Sequence, residues 1–362
     1  KSELELILGN QDLSNNNILN IGNSYIYENF KVTVNINELL SNHFTILGNT
    51  GSGKSCGVAR LIQNIFDFEK DIPKNSHIVL FDAYGEYNDA FKKFNGHPSL
   101  GYKSYTTELE FPEAEIIKIP PYFLEADDLA LLLNVTDPYQ LPIIEKALKL
   151  VIIFTSKDEK VKGYKDSIIA SSLLDILSSG RNPVQIRDQI VAILSHYNTE
   201  KLNLNSVISQ PGYSRTLKQC LNIDNQGKIN AVNFVVEYLE QYGNIDPNTI
   251  DLDYNIYYTL DDLYYALEFA LISEGILKSD SIFDQINILK VRLKDIIDSS
   301  YKEYFKYEEF IGRDDYVKKV FTKDDKNAQI INMNFNYIDE RFAKVLTKVF
   351  AKLFFNYSTK IT

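Results

Sequence analysis

No apolar run in this 362-residue chain approaches the ~20 residues that a membrane-crossing helix needs. The longest candidates, such as 148–154, stop within two helical turns. The first ten residues, KSELELILGN, lack the basic-then-apolar layout of a secretion signal. There is no initiator methionine at position 1, so the chain reads as processed, trimmed or part of something longer. Two cysteines, Cys56 and Cys220, cannot build a disulfide framework or a zinc site alone, and four scattered histidines add no ligand cluster. This composition predicts a reducing cytoplasm and no membrane partner. No internal repeat of solenoid length is evident. A formal charge of −11 argues against coating nucleic acid over the whole surface. DNA held in a narrow basic channel between subunits stays open, because only local charge matters there.

What is present is the composition of a globular protein, with room for about two or three domains. Residues 1–40 read as short strands: Leu4 to Leu8 ends at Gly9-Asn10, and Lys31-Val32-Thr33-Val34-Asn35-Ile36 alternates with period two. Phe44-Thr45-Ile46-Leu47 reads as a short buried strand running into a glycine-rich loop. After it, Val58, Leu61, Ile62, Ile65 and Phe66 follow helical spacing until Asp71-Ile72-Pro73 breaks the pattern. His77-Ile78-Val79-Leu80-Phe81 is a continuous apolar strand of the kind buried in a parallel sheet. Strand, helix and strand make a βαβ unit. Helical spacing then dominates at 125–134, 139–155, 165–179, 183–197, 228–241, 260–277 and 281–298, with turns at Asp137-Pro138, Gly180, Asn182-Pro183, Pro211-Gly212 and Asp246-Pro247. A strand over 329–335 and a helix burying Phe342, Val345, Leu346, Val349, Phe350, Leu353 and Phe354 close the chain.

The expected organisation is a β segment over 1–40, an α/β core over 41–119 and 318–362, and a helical insertion over 120–317. Only three parallel strands are evident, whereas doubly wound nucleotide-binding sheets use about five or more. The expectation is therefore that the native chain continues past Thr362.

The octet Gly48-Asn49-Thr50-Gly51-Ser52-Gly53-Lys54-Ser55 fits G-x-x-x-x-G-K-[ST] in full, between the expected strand and an amphipathic helix. Gly48, Gly51 and Gly53 let the backbone curl so that its amides point at phosphate oxygens. The helix N-terminus adds partial positive charge. Lys54 can reach the β- and γ-phosphates of ATP, and the Ser55 hydroxyl can ligate Mg2+. Asp82 ends the second strand and is placed to hold a magnesium-bound water, while Glu86 could polarise a water or sense the γ-phosphate. The blander alternatives are that Asp82 caps the following turn and that Glu86 is solvated. Cys56, beside the loop, reads as a packed residue lining the nucleotide site more than as a reactive thiol.

Asp82-Ala83-Tyr84-Gly85 also matches the DxxG of GTPases, and Thr322-Lys323-Asp324-Asp325 their guanine-reading motif. One helix and one strand fill the interval from Lys54 to Asp82, without the switch loop and extra strand of a GTPase, so that reading fails. Lys290-Val291-Arg292-Leu293-Lys294 and the lysines over 157–165 could touch DNA, though charge runs on helices are usually solvated faces. Arg181, Arg187, Arg313 and Arg341 could serve as arginine fingers; nothing in the sequence selects one. His43 and His77 sit at expected strand starts, where packing is their role.

With these motifs placed, the chain resembles the HerA family of the HerA–FtsK superfamily of ring-forming DNA translocases. The resemblance is carried by Asn42-His43-Phe44-Thr45-Ile46-Leu47 running into the octet, and by Leu80-Phe81-Asp82-Ala83-Tyr84-Gly85-Glu86-Tyr87. Ile119-Pro120-Pro121-Tyr122-Phe123-Leu124 with Asp127-Asp128-Leu129-Ala130 looks like that family's entry into its helical insertion. The resemblance implies a RecA-like P-loop NTPase core of three layers, a homohexameric ring with ATP between subunits, DNA through a central pore, and a nuclease or other effector as companion in DNA end processing or phage defence. It also implies a catalytic glutamate and sensor residues beyond Thr362, and a small N-terminal β-barrel of which 1–40 is the last part. The competing expectation is an ATP-binding assembly scaffold with little or no hydrolysis. A small-molecule kinase would need a lid and an acceptor pocket, and neither is evident.

Overall fold

A computed structural model describes Glu3 and residues 18–27, 30–66, 76–95, 97, 100–243, 255–275 and 280–361. The strand expected over 4–8, the helix break at 71–75 and the turn at 246–247 lie outside the described residues. The chain divides into two compact units: residues 1–117 with 313–343 and 353–362, and residues 118–312 with 344–352.

The first unit opens with β1 (Ile18–Asn23), β2 (Lys31–Asn35), α1 (Ile36–Ser41), α2 (Lys54–Phe66), β3 (Ile78–Asp82), α3 (Asn88–Phe91), β4 (Gly101–Thr106) and β5 (Glu115–Ile116). The second contains α4 (Ala126–Leu132), α5 (Gln140–Thr155), α6 (Glu159–Ser178), α7 (Pro183–His196), β6 (Val207–Gln210), β7 (Tyr213–Thr216), α8 (Leu217–Cys220), α9 (Val232–Glu240), α10 (Leu260–Gly275) and α11 (Asp280–Asp298). Then come α12 (Arg313–Phe321), β8 (Thr322–Lys323), β9 (Lys326–Asn334) and α13 (Glu340–Ile361).

The central sheet has the order β3-β9-β4-β5, with every neighbouring pair parallel, and β8 adds antiparallel to β9. A strand from late in the chain thus lies between two early ones, and Asp82, Asn334 and Thr106 come into register at one end. The chain has the α/β architecture of a P-loop NTPase: a mainly parallel sheet with many helices. Helix α2 buries Ala59, Ile62, Ile65 and Phe66 in a core shared with Leu19, Phe91, Phe94, Leu100, Tyr102 and Ile330. Leu19 of β1 lies in this core and Val34 of β2 packs against it, so the β1–β2 pair belongs to it.

One strand expectation needs correction, and one strand was unforeseen. Residues 43–49 form no strand, and Phe44, Ile46 and Leu47 are exposed at 50, 40 and 88%. His43 therefore starts no strand and is exposed. An apolar run becomes a buried strand only where another strand offers its free edge, and among the described residues none pairs with 44–47. Conversely, β4 (GYKSYT) shows no apolar run yet lies inside the sheet. Tyr102 and Tyr105 are buried, and the Lys103 ammonium donates to the carbonyls of Lys319 at 2.8 Å and Thr322 at 3.1 Å. Those bonds, with Glu115 at 3.4 Å, satisfy a cation whose pKa burial pushes down.

In the second unit each expected helical segment contains a helix. Helix α4 starts with a reciprocal capping box between Glu125 and Asp128, and α7 with an Asn182 cap followed by Pro183. An unexpected β6–β7 hairpin turns through Pro211-Gly212, where Gly212 has φ 82°. Helix α10 packs along α5 and α11. Phe154 stacks on Tyr197 at 4.0 Å between ring centres, and both meet Phe269, which is 1% exposed. Among the described residues, no helix is long and apolar enough to cross a membrane.

Candidate nucleotide site

The loop before α2 has the backbone that its glycines allow. Gly51 and Gly53 adopt φ of 79° and 85°, in the left-handed region where a side chain is strained. A Cβ at Gly48 would run into the Ser52 side chain. The turn is closed by Ser52 N–H donating to Asn49 O at 3.1 Å, and Gly57 N–H donates to Gly53 O at 2.8 Å. Residues 48–53, Thr50 included, are exposed, as is Cys56, which carries a free thiol. The Lys54 ammonium folds over its own loop and donates to Asn49 O at 2.8 Å.

Asp82 stands at the carboxyl end of β3 and is 2% exposed. Its carboxylate turns into its own loop: Oδ1 accepts from Glu86 N–H at 3.1 Å and Oδ2 from Tyr87 N–H at 3.0 Å. Gly85, at φ 71°, makes the reversal that this double bond requires. The turn carries the exposed Glu86 back to α2, where its Oε2 accepts the hydroxyl proton of Ser55. Beside them the Tyr87 phenol has its pKa pushed up by burial first, opposed by a hydrogen bond with Ser55 and then reinforced by the Asp82 and Glu86 carboxylates.

The structure thus brings Ser55 and Glu86 into contact and engages both Asp82 oxygens with main-chain amides. A hydroxyl beside a carboxylate at the mouth of an amide-rich loop is a hard-oxygen donor set, which fits Mg2+. Sequence reasoning missed Asn334. Its side chain lies against Gly85, its Oδ1 accepts from Asn336 N–H at 2.9 Å, and its carbonyl accepts from Thr107 N–H at 3.1 Å. Its position at the end of β9 was the available signal, since ligands of open α/β sheets bind outside the carboxyl ends of strands.

Gly85 sets up a test. A Cβ there would meet the Asn334 amide nitrogen at 3.2 Å, in a conformation costing an L-residue ~1–2 kcal/mol. Gly85→Ala is expected to lower unfolding free energy by about that amount in urea titration. An unchanged midpoint would show that the turn is not held as described.

Most of the other candidates bond within the fold. Arg292 Nη1 donates to Leu133 O at 2.8 Å and Asn134 O at 2.5 Å, closing the end of α4 where Asn134 has φ 51°. Lys290 pairs with Glu268, Lys294 with Asp298 at 3.1 Å, and Lys162 with Glu159. Lys165 donates to Phe154 O at 2.6 Å. Arg187 pairs with Asp188 at 2.8 Å, and Arg181 and Arg313 are also engaged. Arg341 is exposed in the first turn of α13. His77 stacks on Phe321 at 4.2 Å, with Nδ1 2.8 Å from Ala328 O. Thr322-Lys323 is strand β8 and Asp324-Asp325 the turn into β9, with φ of 49° and 59° at the two aspartates. Lys323 there donates to Asn95 Oδ1 at 2.8 Å and Tyr102 O at 3.0 Å, so the resemblance to a guanine-reading motif is incidental.

Comparison with known proteins adds the following. Residues 19–354 match the family model described as the central domain of helicase HerA. A probable helicase of Methanocaldococcus jannaschii, MJECL08, is 42% identical over 72 residues, 20% of this chain and 13% of that protein. The DNA double-strand break repair helicase HerA of Pyrococcus furiosus is 33% identical over 84 residues, 23% of this chain and 13% of that protein. A probable helicase of the same description from M. jannaschii is 36% identical over 69 residues, 19% of this chain and 12% of that protein.

Proposed function

The chain belongs to the HerA helicase central-domain family, and from that premise we propose that it is the nucleotide-binding core of an ATP-driven DNA motor. At family level the assignment is to a HerA-type helicase. The finer reading is a homohexameric ring that binds ATP with Mg2+ between subunits and threads DNA through its pore. In this reading it works beside a nuclease or other effector in DNA end processing or phage defence. The observation that carries the proposal is the complete phosphate loop on α2, with Glu86 held against Ser55 at its mouth.

The residues divide the work by their chemistry. The amides of Gly48 to Gly53 bind the phosphate oxygens and orient the chain of phosphates. Lys54 exchanges its bond to Asn49 O for the β- and γ-phosphates. Ser55 offers hydroxyl lone pairs to the metal, and Asp82 and Glu86 complete the acidic side of the site. When bound, Mg2+ supplies charge neutralisation at the phosphates.

The test is ATP hydrolysis measured with and without DNA. A DNA-stimulated rate is the expected outcome, and an identical rate in both sets the motor aside. Nucleotide-dependent oligomer mass with negligible turnover would favour the assembly scaffold instead.

A further inference from the structure

The two carboxylates of the site differ in what they have left to offer. Both oxygens of Asp82 are held by the amides of Glu86 and Tyr87, and the group is 2% exposed. Turning it outward would leave two amides unpaired in the floor of the site. Glu86 is exposed, and it already touches the Ser55 hydroxyl through Oε2. A serine hydroxyl that donates its proton keeps its lone pairs for a cation. From this geometry we infer that Glu86 is the carboxylate that serves the magnesium side of the site, directly or through a bound water. Asp82 is then a positioning residue that fixes the turn carrying Glu86. The inference rests on the ATP-binding reading above and reverses the order of the two acids that their sequence positions suggest.

Several independent features converge on that turn. Gly85 takes the left-handed conformation that swings Glu86 toward α2, and its α-carbon faces the Asn334 amide too closely for a free Cβ. Phe335 N–H donates to Asp82 O at 2.8 Å, so β9 anchors the same corner from its other side. Tyr87, next to Glu86, stacks on Phe91 at 6.2 Å between ring centres, and Phe91 is fully buried. Glu86 thus projects from a turn fixed on both flanks, and its own carboxylate is the part left exposed. The Ser55 hydroxyl bonds Glu86 and the Lys54 ammonium bonds Asn49 O, so the polar groups around the loop satisfy one another. A phosphate competes with Asn49 O for the Lys54 ammonium, whereas the Ser55–Glu86 bond can persist while the hydroxyl lone pairs meet a cation.

The experiment is an equilibrium titration of the full chain with ADP, with and without Mg2+. Electron paramagnetic resonance of Mn2+ in place of Mg2+, and thermal unfolding of the nucleotide-free protein, complete it. Glu86→Gln is expected to keep the unfolding temperature and the metal-free ADP affinity. It should lose about 10-fold of the tightening that Mg2+ gives, with a changed Mn2+ spectrum. Asp82→Asn is expected to lower the unfolding temperature by about 2 °C. Measured below that temperature, its Mn2+ spectrum should stay unaltered while metal affinity falls, because the ligands are the same but less well held. The reverse pattern, a normal metal response in Glu86→Gln and an altered Mn2+ spectrum in Asp82→Asn, overturns the inference and returns the metal to Asp82. Failure of the unaltered chain to bind ADP at all sinks the ATP-binding reading, and this inference with it.

Discussion

Replacing Lys54 by alanine is expected to weaken ATP binding ~10- to 100-fold and to lower turnover by about 100- to 1000-fold. The reason lies in the loop's charge balance. The triphosphate brings several negative charges to a site whose other donors are neutral amides and one hydroxyl. Lys54 is the cation of the octet and sits at the first turn of α2, where it adds to the helix's partial positive charge. A charged donor contributes about 1.5–3 kcal/mol where a neutral one contributes about half as much. Folding depends on it little. Its contact is one bond to Asn49 O in an exposed loop, so the variant should unfold within about a degree of the parent. Calorimetric ATP titration, steady-state hydrolysis and a melting curve check the three parts together. Unweakened ATP binding in a normally folded variant would mean that the loop does not bind phosphate as described.

What the sequence made legible followed the strength of local signals. The octet is readable because its glycines have conformational duties that few other residues can perform, and Gly51 and Gly53 adopt the positive φ those duties require. Strand β3 was readable from its unbroken apolar run, and α13 from its spacing of Phe342, Val345, Leu346, Val349 and Phe350. Strand β4 was hidden because its burial is not apolar. Lys103 is 9% exposed through bonds to carbonyls from α12 and β8, partners more than two hundred positions away. The strand expected over 44–47 failed for the converse reason: its residues are apolar, but no partner strand meets them among the described residues. The carboxylates fell between. Their residue types and spacing were visible, and Asp82 takes the turn-capping alternative weighed for it, while the bond from Ser55 to Glu86 had no sequence signature.

The close approach of β4 to β9 gives the largest expected effect on folding. At Gly101 a Cβ would meet Ala328 Cα at 2.8 Å and the Asn327 carbonyl carbon at 3.0 Å, with the Asn327 carbonyl oxygen nearer still. All of these are backbone atoms of β9, held there by β8 at Asn327 and by β4 at Ala328, and they cannot step aside. Gly101 N–H also donates to Gln329 Oε1 at 2.6 Å, and Gln329 is 3% exposed. Gly101→Ala therefore overpacks the sheet and strains a buried amide pair together. About 3 kcal/mol or more of stability should go, a drop of at least ~4 °C in unfolding temperature. Gly57 supplies the control of opposite sign. It lies inside α2, a Cβ there meets nothing within 4 Å, and alanine in a helix interior is favoured by ~1 kcal/mol. Gly57→Ala should raise the unfolding temperature where Gly101→Ala lowers it. Similar shifts in the two variants would mean that β4 does not run against β9 at this distance. Because the same pairing sets Asn334 beside Asp82 and Thr106, such a result would also displace the corner of the sheet that holds Glu86.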